Sequence, residues 1–125
     1  MDENATSNAV IGAAIEVHRH LGIGLLESAY EHALAIEFEQ CGLSFRRQLA
    51  LGAVYKGVAL DDVYRLDFLV NEVVIVEVKA VASLVAIHSS QLLTYLRLSR
   101  KRLGLLLNFN SESMRGGIKR VVNQL

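Results

Sequence analysis

The sequence predicts an α/β layer domain with its elements in the order α-α-β-β-β-α-β-β, and three observations carry that prediction. Apolar residues recur at spacings of three and four in three segments, Asn8 to Leu21, Leu26 to Phe38 and Ile87 to Arg100. The stretches between and after them are dense in β-branched and other aliphatic residues without that spacing. At 125 residues, just over half of them hydrophobic and none of them proline or tryptophan, the chain is the size of one domain, residues 1–125, with a core of Leu, Val, Ile and Ala.

In the first helix the apolar stripe is Val10, Ile11, Ala14, Ile15, His18 and Leu21, with Ser7 or Thr6 available as its cap. Gly22-Ile23-Gly24 interrupts it, because two glycines in three residues favour a turn. The second helix runs through Leu26, Ala29, Tyr30, Ala33, Leu34 and Phe38 and stops at Gly42, where a left-handed residue commonly ends a helix. Ser44 to Tyr55 reads as a strand ended by Lys56-Gly57. Tyr64 to Val70 and Val73 to Ala80 read as a hairpin around Asn71-Glu72. After the third helix, Leu103 to Phe109 is an almost wholly apolar run typical of a buried strand, and Ile118 to Val122 forms a final edge strand behind Gly116-Gly117. The sequence holds no internal repeat, low-complexity tract or linker.

Composition excludes some functions. No apolar run approaches the roughly 20 residues that cross a bilayer, and the polar opening Met1 to Ser7 lacks a signal peptide's basic and apolar regions, so a soluble, cytoplasmic protein is expected. Cys41 is the single cysteine, which rules out an internal disulfide. Beside Gly42 it reads as a small buried filler, and Gln40 and Gly42 supply neither a base nor a cation to generate a thiolate. Zero net charge argues against affinity of the whole surface for nucleic acid, yet residues 1–43 hold seven acids and one base while the remainder holds twelve bases and six acids. The bases cluster at Arg46-Arg47, at Arg97 with Arg100-Lys101-Arg102, and at Arg115 with Lys119-Arg120, either as solvated faces or as phosphate-tracking patches. His18, His20, His32 and His88 have no zinc spacing and read as structural, with His18 able to line a site from the first helix.

The chemistry is concentrated in Val73-Val-Ile-Val-Glu77-Val-Lys79, where two ionisable residues stand in an otherwise aliphatic strand. Burying a charge without a partner costs several kcal/mol, and a hydrated divalent cation is a natural partner for the carboxylate. Strand residues two apart share a face, so Glu77 and Lys79 emerge side by side. Asp67 is the corresponding charge in the partner strand. A two-residue turn at Asn71-Glu72 would pair Val70 with Val73 and send Asp67 and Glu77 to opposite faces, so a shared site requires a three-residue loop or a bulge with Val70 opposite Val74. An ion pair of Glu77 and Lys79 with neighbouring strand residues is the alternative for these charges.

An Asp in mid-strand, a hairpin and then Glu-x-Lys resembles the PD-(D/E)xK nuclease superfamily. The resemblance implies a restriction-endonuclease-like core, a mixed central sheet flanked by helices. It also implies that Asp67 and Glu77 hold Mg²⁺, with Mn²⁺ as a substitute, while Lys79 orients or helps deprotonate the attacking water. Gln91-Leu-Leu-Thr-Tyr95 resembles the QhxxY motif of the RecB-like branch, which implies that Gln91 and Tyr95 place substrate and water. Gly24-Leu-Leu-Glu27-Ser-Ala-Tyr30 resembles the signature of the GxxExxY family, which implies that Glu27 reaches the metal as a further acidic ligand or base. Ile15-Glu-Val-His18, Phe45-Arg-Arg-Gln48, Leu107-Asn-Phe109 and Gly117-Ile-Lys-Arg120 extend the resemblance over nearly the whole chain. Lys79-Ala-Val-Ala-Ser-Leu supplies no further acid, so one metal is expected to be held tightly. The implied activity is hydrolysis of DNA or RNA phosphodiester bonds, assisted by a homodimer or protein partner because a small basic surface neutralises few phosphates. The competing expectations are a catalytically silent nuclease-fold module that binds or regulates a partner, and a structural homo-oligomeric subunit, the second of which leaves the buried charges unexplained.

Overall fold

The computed structural model describes residues 1–124 and contains, among them, three α-helices and a five-stranded sheet. Helix α1, Glu3–Leu21, begins earlier than its apolar stripe because the cap is Asp2, whose Oδ1 accepts from Ala5 N at 2.7 Å. Thr6 and Ser7, expected as caps, are instead buried within the helix, and Thr6 Oγ1 accepts from Asn71 Nδ2 at 3.2 Å. Helix α2, Glu27–Gln40, ends on Cys41, followed by left-handed Gly42. Cys41 is exposed, not a buried filler: at the cap its side chain points outward, and the apolar residue that closes the turn is Leu43, whose N–H reaches Phe38 O at 2.9 Å.

Strand β1, Phe45–Tyr55, and strand β2, Val58–Val70, form a long antiparallel ribbon, so β2 starts six residues before the expected Tyr64. Lys56-Gly57, at φ +50° and +78°, makes a two-residue hairpin turn. The outer part of β2 carries Asp61-Asp62 and stays exposed, so it lacks the half-buried alternation by which a strand is recognised. Strand β3, Val74–Lys79, helix α3, Ala86–Ser99, and strand β4, Leu103–Asn108, make a parallel crossover unit. Strand β5, Ile118–Val122, follows a 3₁₀ turn at Arg115–Gly117 and adds antiparallel to β4 at the sheet edge. Spatial order follows chain order, β1-β2-β3-β4-β5, with one parallel pair, β3 with β4.

Helices α1 and α2 cover one face. Val10, Ala14, Tyr30, Leu34 and Phe38 join Phe68, Val74, Val76, Val78, Leu105 and Leu107 in one buried cluster. Helix α3 covers the other face with a smaller cluster, Leu92 and Leu96 against Leu66, Leu69, Ile75, Leu106 and Val121. The approach is close: a Cβ on Gly104 would lie 2.8 Å from the Leu92 side chain, so a larger residue there would force Leu92 to shift.

The β1–β2 ribbon changes faces midway. Phe45, Phe68 and Val70 pack in the α1/α2 cluster, whereas Leu49, Leu51 and Leu66 pack in the α3 cluster. Strict alternation would keep each strand's even or odd set on one face. The switch falls at Gln48, held at φ +48°, and at Asp67 opposite it, where the ladder skips from Arg47–Phe68 to Leu49–Leu66.

Candidate active site

Alternation along β3 sends Val74, Val76 and Val78 into the α1/α2 core and leaves Ile75, Glu77 and Lys79 on the α3 side. The turn before it has left-handed Asn71 and Glu72 and closes through Val73 N to Val70 O at 3.0 Å. Val73 is one extra residue, so Val70 faces Val74, Leu69 faces Ile75 and Phe68 faces Val76. This is the register that a shared site requires. Past Phe68–Val76 the backbone ladder stops and side chains take it over. Asp67 N–H donates to Glu77 Oε2 at 2.8 Å, and Val78 N–H donates to Asp67 Oδ2 at 2.8 Å. Each carboxylate thus satisfies an amide of the opposite strand that the splaying would otherwise leave unpaired.

The electrostatics are strained. Burial and then the neighbouring Asp67 charge push the Glu77 carboxyl up to about 8, against the opposing pull of the Asp67 amide and Lys79. Asp67 is also raised by burial, with the Glu31 carboxylate adding to the rise and the Val78 amide, Lys79 and Gln48 opposing it. By contrast, exposed Glu16 on α1 is lowered by its hydrogen bonds to Arg19 and His20. Two carboxylates that resist ionisation at one point, with a half-buried lysine on the same face, are an arrangement that added positive charge relieves.

The other expected residues lie around this pair. Glu27 opens α2, and its Oε2 accepts from Ala80 N at 3.0 Å, directly after Lys79; its charge also raises Glu77. Tyr30 is fully buried, not on the exposed side with Glu27. It stacks on Phe109 at 4.8 Å, donates from its hydroxyl to Gly22 O at 2.6 Å and accepts from Leu25 N at 3.2 Å. Gly24, at φ +95°, donates to Asn110 Oδ1 at 3.2 Å. The Gly24-Glu27-Tyr30 spacing therefore clamps the α1–α2 turn and sets Glu27 over the end of β3. Gln91 and Tyr95 of α3 line a hollow of about 330 Å³ with Tyr64, Ile87, Ser90 and Thr94. Tyr95 is raised by burial and by the Glu77 and Asp67 charges, which puts its phenol within electrostatic reach of the carboxylates. His18 does not join the site, because its Nε2 is hydrogen-bonded to Ser111 O at 2.8 Å.

Three residues at the site were given no role from the sequence, although Gln48 and Asn108 stand in segments that carry the family resemblance. Gln48 bridges α2 to the centre, with its amide donating to Glu31 and to Asp67 Oδ1 at 3.3 Å. Glu31 also pairs with Arg47 at 2.7 Å. The signal for Glu31 was its position four residues after Glu27, on the same helix face. Asn108, buried and opposite Lys79, holds the loop after β3 through Val81 N and Val81 O, both at 3.0 Å. A buried Asn ending an apolar strand was its signal.

Residues 4–121 match the profile of the PD-(D/E)XK nuclease superfamily. The chain belongs to this superfamily. No curated protein and no solved structure gave a significant match. Nucleases of the superfamily generally use divalent metals. Among the described residues, no group of three or more His, Cys, Asp or Glu side chains is assembled for a metal. The carboxylates of Asp67 and Glu77 nevertheless fit a hard dication: their donors are all oxygens, Glu77 Oε1 takes no hydrogen bond from a described residue, and Mg²⁺ characteristically takes one or two carboxylates and keeps several waters. No helix among the described residues is long and apolar enough to cross a membrane.

Proposed function

We propose that this protein, as a member of the GxxExxY group, is a Mg²⁺-dependent cytoplasmic nuclease that hydrolyses phosphodiester bonds of DNA or RNA, with Mn²⁺ able to substitute. The observation that carries the reading is the reciprocal bonding of Asp67 and Glu77 across splayed strands, with both carboxyls raised and Lys79 beside them. Asp67 and Glu77 would hold the cation, which supplies charge neutralisation at the phosphate and a lowered pKa for water. Glu27 stands at Ala80 as an auxiliary acid or further ligand. Lys79, a compact charge with three donors, orients the water whose oxygen attacks phosphorus as the bond to the leaving sugar oxygen breaks. Gln91 and Tyr95 position the substrate from α3. Purified protein is expected to cleave nucleic acid in Mg²⁺ or Mn²⁺, and Lys79→Ala to abolish cleavage while its circular dichroism and melting remain those of the parent. Cleavage that survives Lys79→Ala would overturn the assignment.

A second reading is a catalytically silent nuclease-fold module acting through a protein partner. It is favoured by the engagement of Glu27 with a backbone amide, which leaves two acids meeting at the centre and not three. Calorimetry with Mg²⁺ separates the readings, since absence of binding supports the silent module.

A further inference from the structure

Where α3 ends, Arg97, Arg100, Lys101 and Arg102 surround a pocket of about 500 Å³ completed by Asn123 and Gln124. No apolar side chain lines it. Left-handed Arg100 turns the chain sharply, and Lys101 N bonds Leu96 O at 2.9 Å. Asn123 then fastens the turn to β5, with its amide donating to Lys101 O at 3.1 Å and its N–H to Arg102 O at 2.8 Å. The bases are therefore presented by a fixed backbone. Among the described residues their one ion pair is Arg102 with Glu3, at 4.0 Å. Arg46 and Arg47, by contrast, are matched by Glu72 at 2.8 Å and Glu31 at 2.7 Å. Complementing a helix dipole needs a cation only within the last turn, which accounts for Arg97 alone among the four bases around the pocket. Guanidinium forks match phosphate oxygens in particular.

The pocket is on the same helix as Gln91. At 1.5 Å of rise and 3.6 residues per turn, Arg97 lies about 9 Å along α3 from Gln91 and about a third of a turn around it, about 12–13 Å in all, and Arg100 caps the helix beyond it. Nucleic acid advances about 3.4 Å per nucleotide along one strand of a duplex, so this span corresponds to about three to four nucleotides.

We propose that the Arg97–Arg102 pocket is a subsite for backbone phosphates, holding a nucleic acid about three to four nucleotides from the position that Gln91 contacts. This rests on the nuclease reading for the placement of the strand at Gln91. The pocket anchors substrate and takes no part in bond cleavage.

The test measures binding of fluorescein-labelled 12-mer oligonucleotides, single-stranded and duplex, by anisotropy in EDTA across a NaCl series. The proteins are the parent chain, Arg97→Gln with Lys101→Gln, and Arg46→Ala as a control. The double variant should bind about tenfold more weakly and lower the log–log salt slope by about 1.4 on single strands or 1.8 on duplex, whereas Arg46→Ala should match the parent. In Mg²⁺ the double variant should raise KM without lowering kcat, and its disadvantage should vanish on substrates with fewer than about three nucleotides on either side of the cut. An unchanged affinity and salt slope in the double variant, an equal loss in Arg46→Ala, or no binding by the parent at low salt would each overturn the subsite. Displacement of the oligonucleotide by micromolar inorganic phosphate would overturn it too, by revealing a free-anion site. The two readings fail separately: absent cleavage with binding weakened by the double variant retires the nuclease and keeps the subsite, and cleavage whose KM ignores the double variant does the reverse.

Discussion

On the face of the sheet covered by α1 and α2, Val74, Val76 and Val78 of β3 join Tyr30, Leu34 and Phe38 in a continuous apolar layer. On the face covered by α3, the same six-residue strand presents Ile75, then Glu77 and Lys79, beneath a helix that buries only Leu92 and Leu96 completely. The difference shows how one strand serves two purposes. Its even residues and Ile75 gain by leaving water, while Glu77 and Lys79 hold charge that folding alone does not favour. A thick core on one side offsets a strained site on the other.

Four measurements would break or sharpen this contrast. The largest effect is expected on the apolar face, where Phe38 is fully buried and packs edge-on against Phe45 and Phe68. Phe38→Ala should lower the unfolding free energy by about 3–5 kcal/mol in urea titrations. A loss below about 1 kcal/mol would show that this layer does not anchor the sheet.

On the charged face the sign should reverse. Glu77 titrates above its ordinary range in the folded chain, so its contribution to stability is complete below about pH 4.5 and is lost as pH rises toward about 8, and the raised Asp67 adds a loss of the same sign. Glu77→Gln removes the larger part of that loss. The variant should flatten the pH dependence between 5 and 8 and stabilise the metal-free protein at pH 8 by up to a few kcal/mol, on the scale of about 1.4 kcal/mol per pH unit. It should also lose the increase in melting temperature that Mg²⁺ confers on the parent at that pH. Destabilisation at pH 8 would mean that the charged face is no more strained than the apolar one.

Tyr30→Phe connects the faces, because the ring belongs to the core and the hydroxyl holds the turn that sets Glu27. Loss of two hydrogen bonds should cost about 1–2 kcal/mol in thermal melts, and cleavage should fall with it as Glu27 leaves Ala80. An unchanged rate would separate the clamp from the site. The smallest effect belongs to neither face: Arg46→Ala breaks an exposed pair with Glu72 and should cost less than about 1 kcal/mol with cleavage unaltered.

Much of the fold was legible because periodicity reports burial. The stripe through Val10 and Ala14, the run from Leu103 and the edge strand Ile118–Val122 all announce themselves by their apolar pattern. Asp2 was missed as a cap because the polar start of α1 shows no stripe. The outer half of β2 was missed because both its sides face solvent, and Cys41 was misplaced because composition cannot tell a cap from a core position. At the site, the requirement that two buried carboxylates share a face was enough to infer the offset pairing of Val70 with Val74. Gln48 stood out only as the end of Phe45-Arg-Arg-Gln48, with no role attached. Its role depends on a left-handed backbone and on Glu31 arriving from a different element.

By itself, then, the amino-acid order determined the sequence of helices and strands, the aliphatic make-up of the core and the charged strand Glu77–Lys79, since these follow from local spacing, composition and the penalty for burying charge. Tertiary structure alone decided that the β1–β2 ribbon changes faces at Gln48 and Asp67, and that Asp67 and Glu77 each bond the other's strand. It also decided that Glu27 and Glu31 approach from α2 and that four bases at the end of α3 enclose one pocket. Those features depend on contacts between residues far apart in the chain, where the energy of each group is set by neighbours that no local pattern specifies.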